Sequence, residues 1–274
     1  MIDPSKKTNL VLLGIFFLFW TGFAIQRVYN NKHNPVRDFA DIIETGTLKV
    51  CGENDLFSHY YDNNGYHGFH YELAKAFAQH IGVKLEYSSE SDFQKRLKNL
   101  SSGKCDIIAG PLPVNAELKS SLDYTEPLYK SRLMLIQKII SESVNPIRNQ
   151  LHLSGDPVFM PLGSPYKTRL HNLADEISDS INIREIPIVD SEQLFRLVSI
   201  GFCDFAVCDE QVAHAYSERF RHIDTKTPLS FSQFNAWAVN KGNYTLLDSL
   251  NGFISTYKKS PAFARLSKKY LVNN

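Results

Sequence analysis

The chain has 274 residues, 43% of them hydrophobic, with 30 Lys and Arg set against 29 Asp and Glu. That is enough to bury one or two cores, and a formal net charge of +1 with both signs interspersed gives no electrostatic case for nucleic acid as a partner. Cys51, Cys105, Cys203 and Cys208 show no C-x-x-C spacing; Cys203 and Cys208 lie on one predicted strand, face opposite sides and cannot bridge each other. All four are expected to be buried free thiols, which leaves the compartment open.

Leu10 to Ile25 is uncharged and apolar all round, preceded by Lys6-Lys7 and followed by Arg27, Lys32 and Arg37. The run sits at the short limit for a spanning helix and is slightly long for a signal-peptide core. Residues 1–25 therefore read as a signal anchor, a transmembrane helix. The alternative is a cleaved signal peptide, for which Gly22-Phe23-Ala24 supplies small residues crowded by Trp20 and Phe23. No cysteine follows at lipoprotein spacing, and in either case the remainder is exported. Residues 26–39 are polar, with Asn30-Asn31 and Pro35, and read as a linker. Phe39, Ile42 and Ile43 mark a brief helix ending at Gly46.

Thr47-Leu48-Lys49-Val50-Cys51 alternates as a strand. Phe69, Leu73, Ala76, Phe77 and Ile81 then fall on one helical stripe. Gly82 stands where a helix needs a left-handed residue, and Val83 to Tyr87 alternates again. This β-loop-α-β unit builds parallel sheets. A helix from Asp92 to Leu100 leads to Gly103-Lys104-Cys105-Asp106 and the apolar Ile107-Ile108-Ala109. Roughly a hundred residues later Glu192 to Val198 leads to Gly201-Phe202-Cys203-Asp204 and Phe205-Ala206-Val207. Helix, glycine stop, Cys-Asp and buried strand thus occur twice, which suits two similar lobes with small parallel sheets.

The order of the first strand, Tyr60-Tyr61, the Gly68-Phe69-His70-Tyr71-Glu72-Leu73 helix start and the Gly82-Val83-Lys84-Leu85 strand resembles periplasmic solute-binding proteins of the polar-amino-acid type. It is similar in particular to the non-catalytic N-terminal domain of membrane-bound lytic murein transglycosylase F. The resemblance covers about residues 40 to 272 and implies an α/β, two-lobed periplasmic-binding-protein-like (type II) fold with two crossover segments. Residues 40–130 and 236–274 would form lobe 1, and residues 131–235 lobe 2. Ser131 to Ile140, after Tyr124 to Tyr129, would cross outward, and Phe231 to Val239, with Trp237, would return. The resemblance also implies a periplasmic protein anchored in the inner membrane, or soluble there after signal cleavage. The implied partners are a small ligand (a peptide, a muropeptide or an amino-acid derivative) and a membrane transporter or cell-wall enzyme. In the resembling enzymes lytic activity belongs to a separate C-terminal domain, and this sequence ends where that domain would begin.

Amino-acid-binding relatives carry a Gly-x-Thr-x-Thr-x-x-Arg run whose guanidinium forks the ligand carboxylate through two parallel donors. The corresponding run here is Gly110-Pro111-Leu112-Pro113-Val114-Asn115-Ala116-Glu117-Leu118. Leu118 stands at the Arg position, and Pro111 and Pro113 remove donors besides. Lys119 is adjacent but points to another face. At the other end of the ligand the family's ammonium-accepting Asp corresponds to Asp209, with a plain helix cap as the equal alternative. Gly163-Ser164 lies in a strand-to-helix loop whose amides suit an anion, with Pro165 at the helix start.

Glu53, Asn54, Phe57, His59, Tyr60 and Tyr61 follow the first strand, at the carboxyl end of the sheet where open α/β folds bind ligands; the alternative is an ordinary surface loop. The candidate ligand-binding set is therefore Glu53, Asn54, Phe57, Tyr60, Tyr61, Pro111, Pro113, Asn115, Gly163, Ser164 and Asp209. No His-Glu-x-x-His, Gly-x-Ser-x-Gly or phosphate-loop pattern occurs, so no catalytic residue, metal or cofactor is expected. His67 and His70 are expected to be solvated. A lyase or hydrolase on the same scaffold stands as an alternative by fold analogy, as does a ligand-free interaction module.

Overall fold

The computed structural model describes residues 20–22, 36–139, 146–177 and 180–272. Most of the expected signal anchor and most of the linker lie outside the described residues. Among those described, no helix is long and apolar enough to cross a membrane.

The first lobe begins with α1 (Phe39–Thr45), where Asp38 and Asp41 form a reciprocal capping box and Gly46 stops the helix at φ 64°. β1 (Thr47–Gly52) leads through a loop and a small hairpin, β2 (Tyr60–Asp62) and β3 (Gly65–His67), to α2 (Phe69–His80). The stripe read from the sequence buries Phe69, Leu73 and Phe77. Gly82, at φ 74°, turns the chain into β4 (Lys84–Ser89), which lies parallel to β1. Asp92 caps α3 (Phe93–Ser101), and β5 (Ile107–Ala109) returns on the other side of β1. β6 (Leu122–Tyr124) completes this stretch.

The chain crosses to the second lobe in β7 (Tyr129–Ser131) and continues as β8 (Leu133–Lys138). There follow β9 (Pro157–Pro161), α4 (Lys167–Glu176), β10 (Asn182–Ile186) and α5 (Ser191–Ser199). β11 (Phe205–Asp209), α6 (Glu210–Ser217) and β12 (Ile223–Pro228) finish the lobe. β13 (Gln233–Asn235) carries the chain back to β14 (Ala238–Asn240), α7 (Tyr244–Tyr257) and α8 (Pro261–Tyr270).

Two five-stranded sheets result, ordered β4-β1-β5-β14-β6 and β10-β9-β11-β8-β12. Both are mixed rather than purely parallel: four strands run one way and the fourth in order, β14 or β8, runs against them, because that strand enters its sheet from a crossover. The repeated Cys-Asp units occupy equivalent places, since β5 and β11 are each third in their sheet. The echo ends at the aspartates. Asp106 is buried and accepts the Lys49 amide at 2.8 Å, whereas Asp204 is exposed.

The crossings are shorter than the sequence suggests. β7 and β13 pair antiparallel with each other, Tyr129 opposite Asn235, and form a two-stranded hinge. β8 and the first two residues of β14, read as crossover, belong to sheet strands. Beneath the hinge His70 is fully buried rather than solvated. Trp237 donates Nε1–H to its Nδ1 at 2.8 Å, so its Nε2–H is left to donate to Tyr129 Oη at 3.1 Å. A single imidazole thus ties α2 to β7 and to the segment that joins β13 to β14. His67, by contrast, is half-exposed beside Asp62 and Glu72. One apolar core runs through the hinge, joining Phe69 and Phe77 of the first lobe to Phe195 and Val212 of the second. All four cysteines are free thiols; three are buried and Cys208 is half-buried.

Candidate ligand-binding cleft

The lobes face each other across the carboxyl ends of their parallel strands, the position at which open α/β sheets bind ligands. They touch at a few polar points: Ser91 Oγ donates to Val189 O at 2.5 Å, and Thr168 Oγ1 to Glu117 Oε2 at 3.0 Å. Gly163, at φ 69°, meets the start of α3 so closely that a Cβ there would lie 3.0 Å from Gln94 Cγ. A side chain at 163 would strain the backbone and press the lobes apart.

Between these contacts lies a cavity of about 40 Å³, room for about three waters. Glu53, Asn54 and Pro111 line it from one lobe and Ser164 and Asp209 from the other, so five of the eleven residues singled out in the sequence converge there. Pro113, Asn115 and Gly163 line two grooves, of about 470 and 160 Å³, that share Pro165 with the cavity. Phe57, Tyr60 and Tyr61 are elsewhere. Asp55 bends the loop after β1 by accepting the amides of Phe57 and Ser58 at 2.8 and 2.6 Å, an Asx turn. The turn drives Phe57 into the hinge core, stacked on Phe69 at 5.4 Å. Tyr60 and Tyr61 then fall on the outer hairpin, with Tyr61 70% exposed.

Asp209 caps a helix and also lines the cavity. One carboxylate oxygen accepts the Gln211 amide at 2.8 Å and caps α6; the other accepts Tyr166 Oη–H at 2.7 Å while the group lines the cavity. Burial raises its pKa to about 6, against the partial relief of those hydrogen bonds. The Gly163-Ser164 loop, in contrast, has no amides to spare for an anion. Gly163 N–H donates to Glu185 Oε1 at 2.9 Å, and Ser164 N–H to Pro161 O at 3.1 Å. Pro165 precedes the helix instead of opening it, since α4 starts at Lys167.

Leu118 lies on a short 3₁₀ turn, Glu117–Ser120, packed against the core below α3. A guanidinium does reach the cavity, but from Arg96. It projects from the buried face of α3, is 2% exposed, and binds Glu53 Oε1 through Nη2 at 2.5 Å. Sequence reasoning passed over Arg96, although the signal was present. It stands three residues after Phe93 and four before Leu100, on the apolar stripe of an amphipathic helix, where a cation requires a buried partner.

The family model for bacterial extracellular solute-binding proteins, family 3, matches residues 48–273. The chain belongs to this family. Family 3 membership accounts for the two lobes, the paired crossings and a cleft at the strand ends. Among curated relatives, the membrane-bound lytic murein transglycosylase F of Desulfosudis oleivorans is 28% identical over 273 residues, covering 98% of this chain and 57% of that protein. The chain spans about half the length of the curated relatives it matches. Among solved structures, an ancestral arginine-binding protein bound to arginine matches with a TM-score of 0.71 and 27% identity, covering 83% of this chain and 99% of that one. The substrate binding protein of an amino acid ABC transporter matches with a TM-score of 0.70 and 25% identity, covering 82% and 99% respectively.

Proposed function

We propose that this chain is the ligand-recognising part of an exported protein, held at the inner membrane by its N-terminal segment. In this reading it binds a small ligand by lobe closure and performs no chemistry on it. The observation that carries the reading is the charge state of the cavity. Asp209 is buried against neutral donors, Tyr166 and the Gln211 amide, while Arg96, the one cation among the described lining residues, is already paired with Glu53. An unpaired carboxylate in a small cavity recognises an ammonium or guanidinium group.

The opposite end of an amino acid is poorly served. Arg96 is engaged, position 118 is Leu, and the loop amides at 163 and 164 are spent. The ligand is therefore an amine whose remainder is not a free α-carboxylate: a peptide or muropeptide, leaving the cavity past Ser164 and Pro165 into the flanking grooves. The arginine-bound structural relative supports the cationic end of this ligand. The lytic transglycosylase relatives support the cell-wall setting and a cell-wall enzyme as partner.

The pH dependence of binding follows from Asp209. An ammonium needs the ionised carboxylate, and with a folded pKa of about 6 that form is lost as pH falls through 6. Affinity is expected to be flat above pH 7 and about tenfold weaker at pH 5. Calorimetry of an amine-bearing peptide across this range checks it, and an affinity independent of pH would count against Asp209 as the anchor.

A further inference from the structure

The hairpin that carries Tyr60 and Tyr61 away from the cleft forms one wall of a second concavity, an open groove of about 660 Å³ lying wholly on the first lobe. Its opposite walls are α2, the end of α7, and α8, so its shape does not depend on lobe closure. We propose that this groove binds an anionic sugar chain, with Tyr66 as the stacking surface and Lys75 and Arg265 as the anion contacts.

The aromatic wall is fixed in advance of any ligand. His59 stacks on Tyr66 at 5.2 Å and on Tyr87 at 4.4 Å, while Tyr61 and Tyr71 meet Tyr66 at 4.9 and 5.7 Å. The cross-strand pair Tyr61–Tyr66 helps an isolated two-stranded hairpin to persist, which accounts for aromatic residues there. It does not account for a Tyr66 ring that remains 54% exposed in a ladder of this kind and lines the same groove as three cations. A ring held so, apolar on its face and polar at its rim, suits the equally two-sided face of a pyranose.

The facing wall sets the charge. Lys75, Arg265 and Lys269 line the groove against one carboxylate, Glu72. Glu72 is occupied by Lys269 at 2.8 Å and by Tyr270 Oη–H at 2.6 Å. Lys75 and Arg265 are exposed and enter no ion pair among the described residues. The chain as a whole carries only +1, so this is a local concentration of positive charge. Asn64 and Gln79 add amide groups able to bond hydroxyls. Aromatic face, hydroxyl partners and two free cations in one open groove describe a carboxylated glycan better than a peptide, which needs apolar pockets, or a nucleic acid, which needs a far larger basic surface.

The test titrates the full chain with oligogalacturonate, a carboxylated sugar chain, at about 0.15 M salt to screen diffuse attraction. Its methyl ester and polyglutamate serve as controls. The proposal expects oligogalacturonate to bind at least tenfold tighter than either control. Tyr66→Ala and the double variant Lys75→Glu/Arg265→Glu should each weaken it at least tenfold, and Asp209→Asn should leave it unchanged. The double variant alters exposed helix positions and keeps the test valid if Tyr66→Ala loosens the hairpin. Absence of oligogalacturonate binding, equal binding of polyglutamate, or indifference to the double variant would overturn the proposal.

Discussion

Asp209→Asn is expected to make the protein more stable at pH 7 and to destroy its ligand binding. The buried carboxylate has its pKa raised from 3.8 to about 6, chiefly by desolvation. The folded state therefore prefers the protonated form, and ionisation costs stability as pH rises through that interval. Above pH 6 the full cost applies, about 3 kcal/mol for a shift of this size; below pH 3.8 it vanishes. Asparagine caps a helix as well as aspartate does, so α6 keeps its first hydrogen bond. The substitution nevertheless removes the carboxylate that no cation pairs in the cavity, and breaking a buried ion pair costs about 3–5 kcal/mol, a loss of at least about 100-fold in affinity. Asp209→Ala should lose binding as well, but with reduced stability, because the Gln211 amide and the Tyr166 hydroxyl lose their acceptor. Urea unfolding at pH 7 and pH 4, together with calorimetry, separates these effects. An Asp209→Asn variant that bound ligand normally would remove the proposed anchor.

His70→Ala is expected to cost about 3–5 kcal/mol of stability. The ring is fully buried and touches Phe57 and Phe69 edge-on at 5.2 Å each. Its removal leaves a cavity and orphans two buried groups, Tyr129 Oη on the outgoing hinge strand and Trp237 Nε1–H just after the returning one. Burial, with a smaller push from the positive Arg96, lowers the His70 pKa from 6.5 to about 3. The unfolded chain thus takes up a proton that the folded one refuses. The contribution of His70 is complete above pH 6.5 and fades as pH drops from there toward 3. Denaturant unfolding of wild type and variant at pH 7 and pH 4.5 should show a larger difference at pH 7. A difference below about 1 kcal/mol at pH 7 would mean that the hinge does not depend on this imidazole.

What was legible in the sequence was legible through periodicity. The stripe of α2, the left-handed stop at Gly82 and the repeated Cys-Asp strands β5 and β11 each follow from local spacing that the fold preserves. Asp209 was legible because a strand end followed by a helix needs a cap, and the capping carboxylate also lines the cavity. Residues whose place is set by a long-range partner were not. Phe57 turns inward because Asp55 folds the loop, which carries Tyr60 and Tyr61 off to the hairpin. Arg96 reaches the cavity because Glu53, 43 positions earlier, waits for it. His70 looks like a solvated helix-start histidine until Trp237, 167 positions later, donates to it. The amides of Gly163 and Ser164 lose their anion-binding capacity to Glu185 and Pro161, a competition that no loop motif reveals.

Calorimetric titration of the 274-residue chain with amine-bearing peptides and muropeptides, beside free arginine and glutamine, tests the central claim most directly. Each missing charge-assisted bond to a free α-carboxylate costs about 1.5–3 kcal/mol, or one to two decades in affinity. The predicted result is tight binding of a peptide or muropeptide with a free amine, abolished by Asp209→Asn, with free amino acids bound at least about 100-fold more weakly. Tight binding of free arginine or glutamine, undiminished in Asp209→Asn, would contradict it.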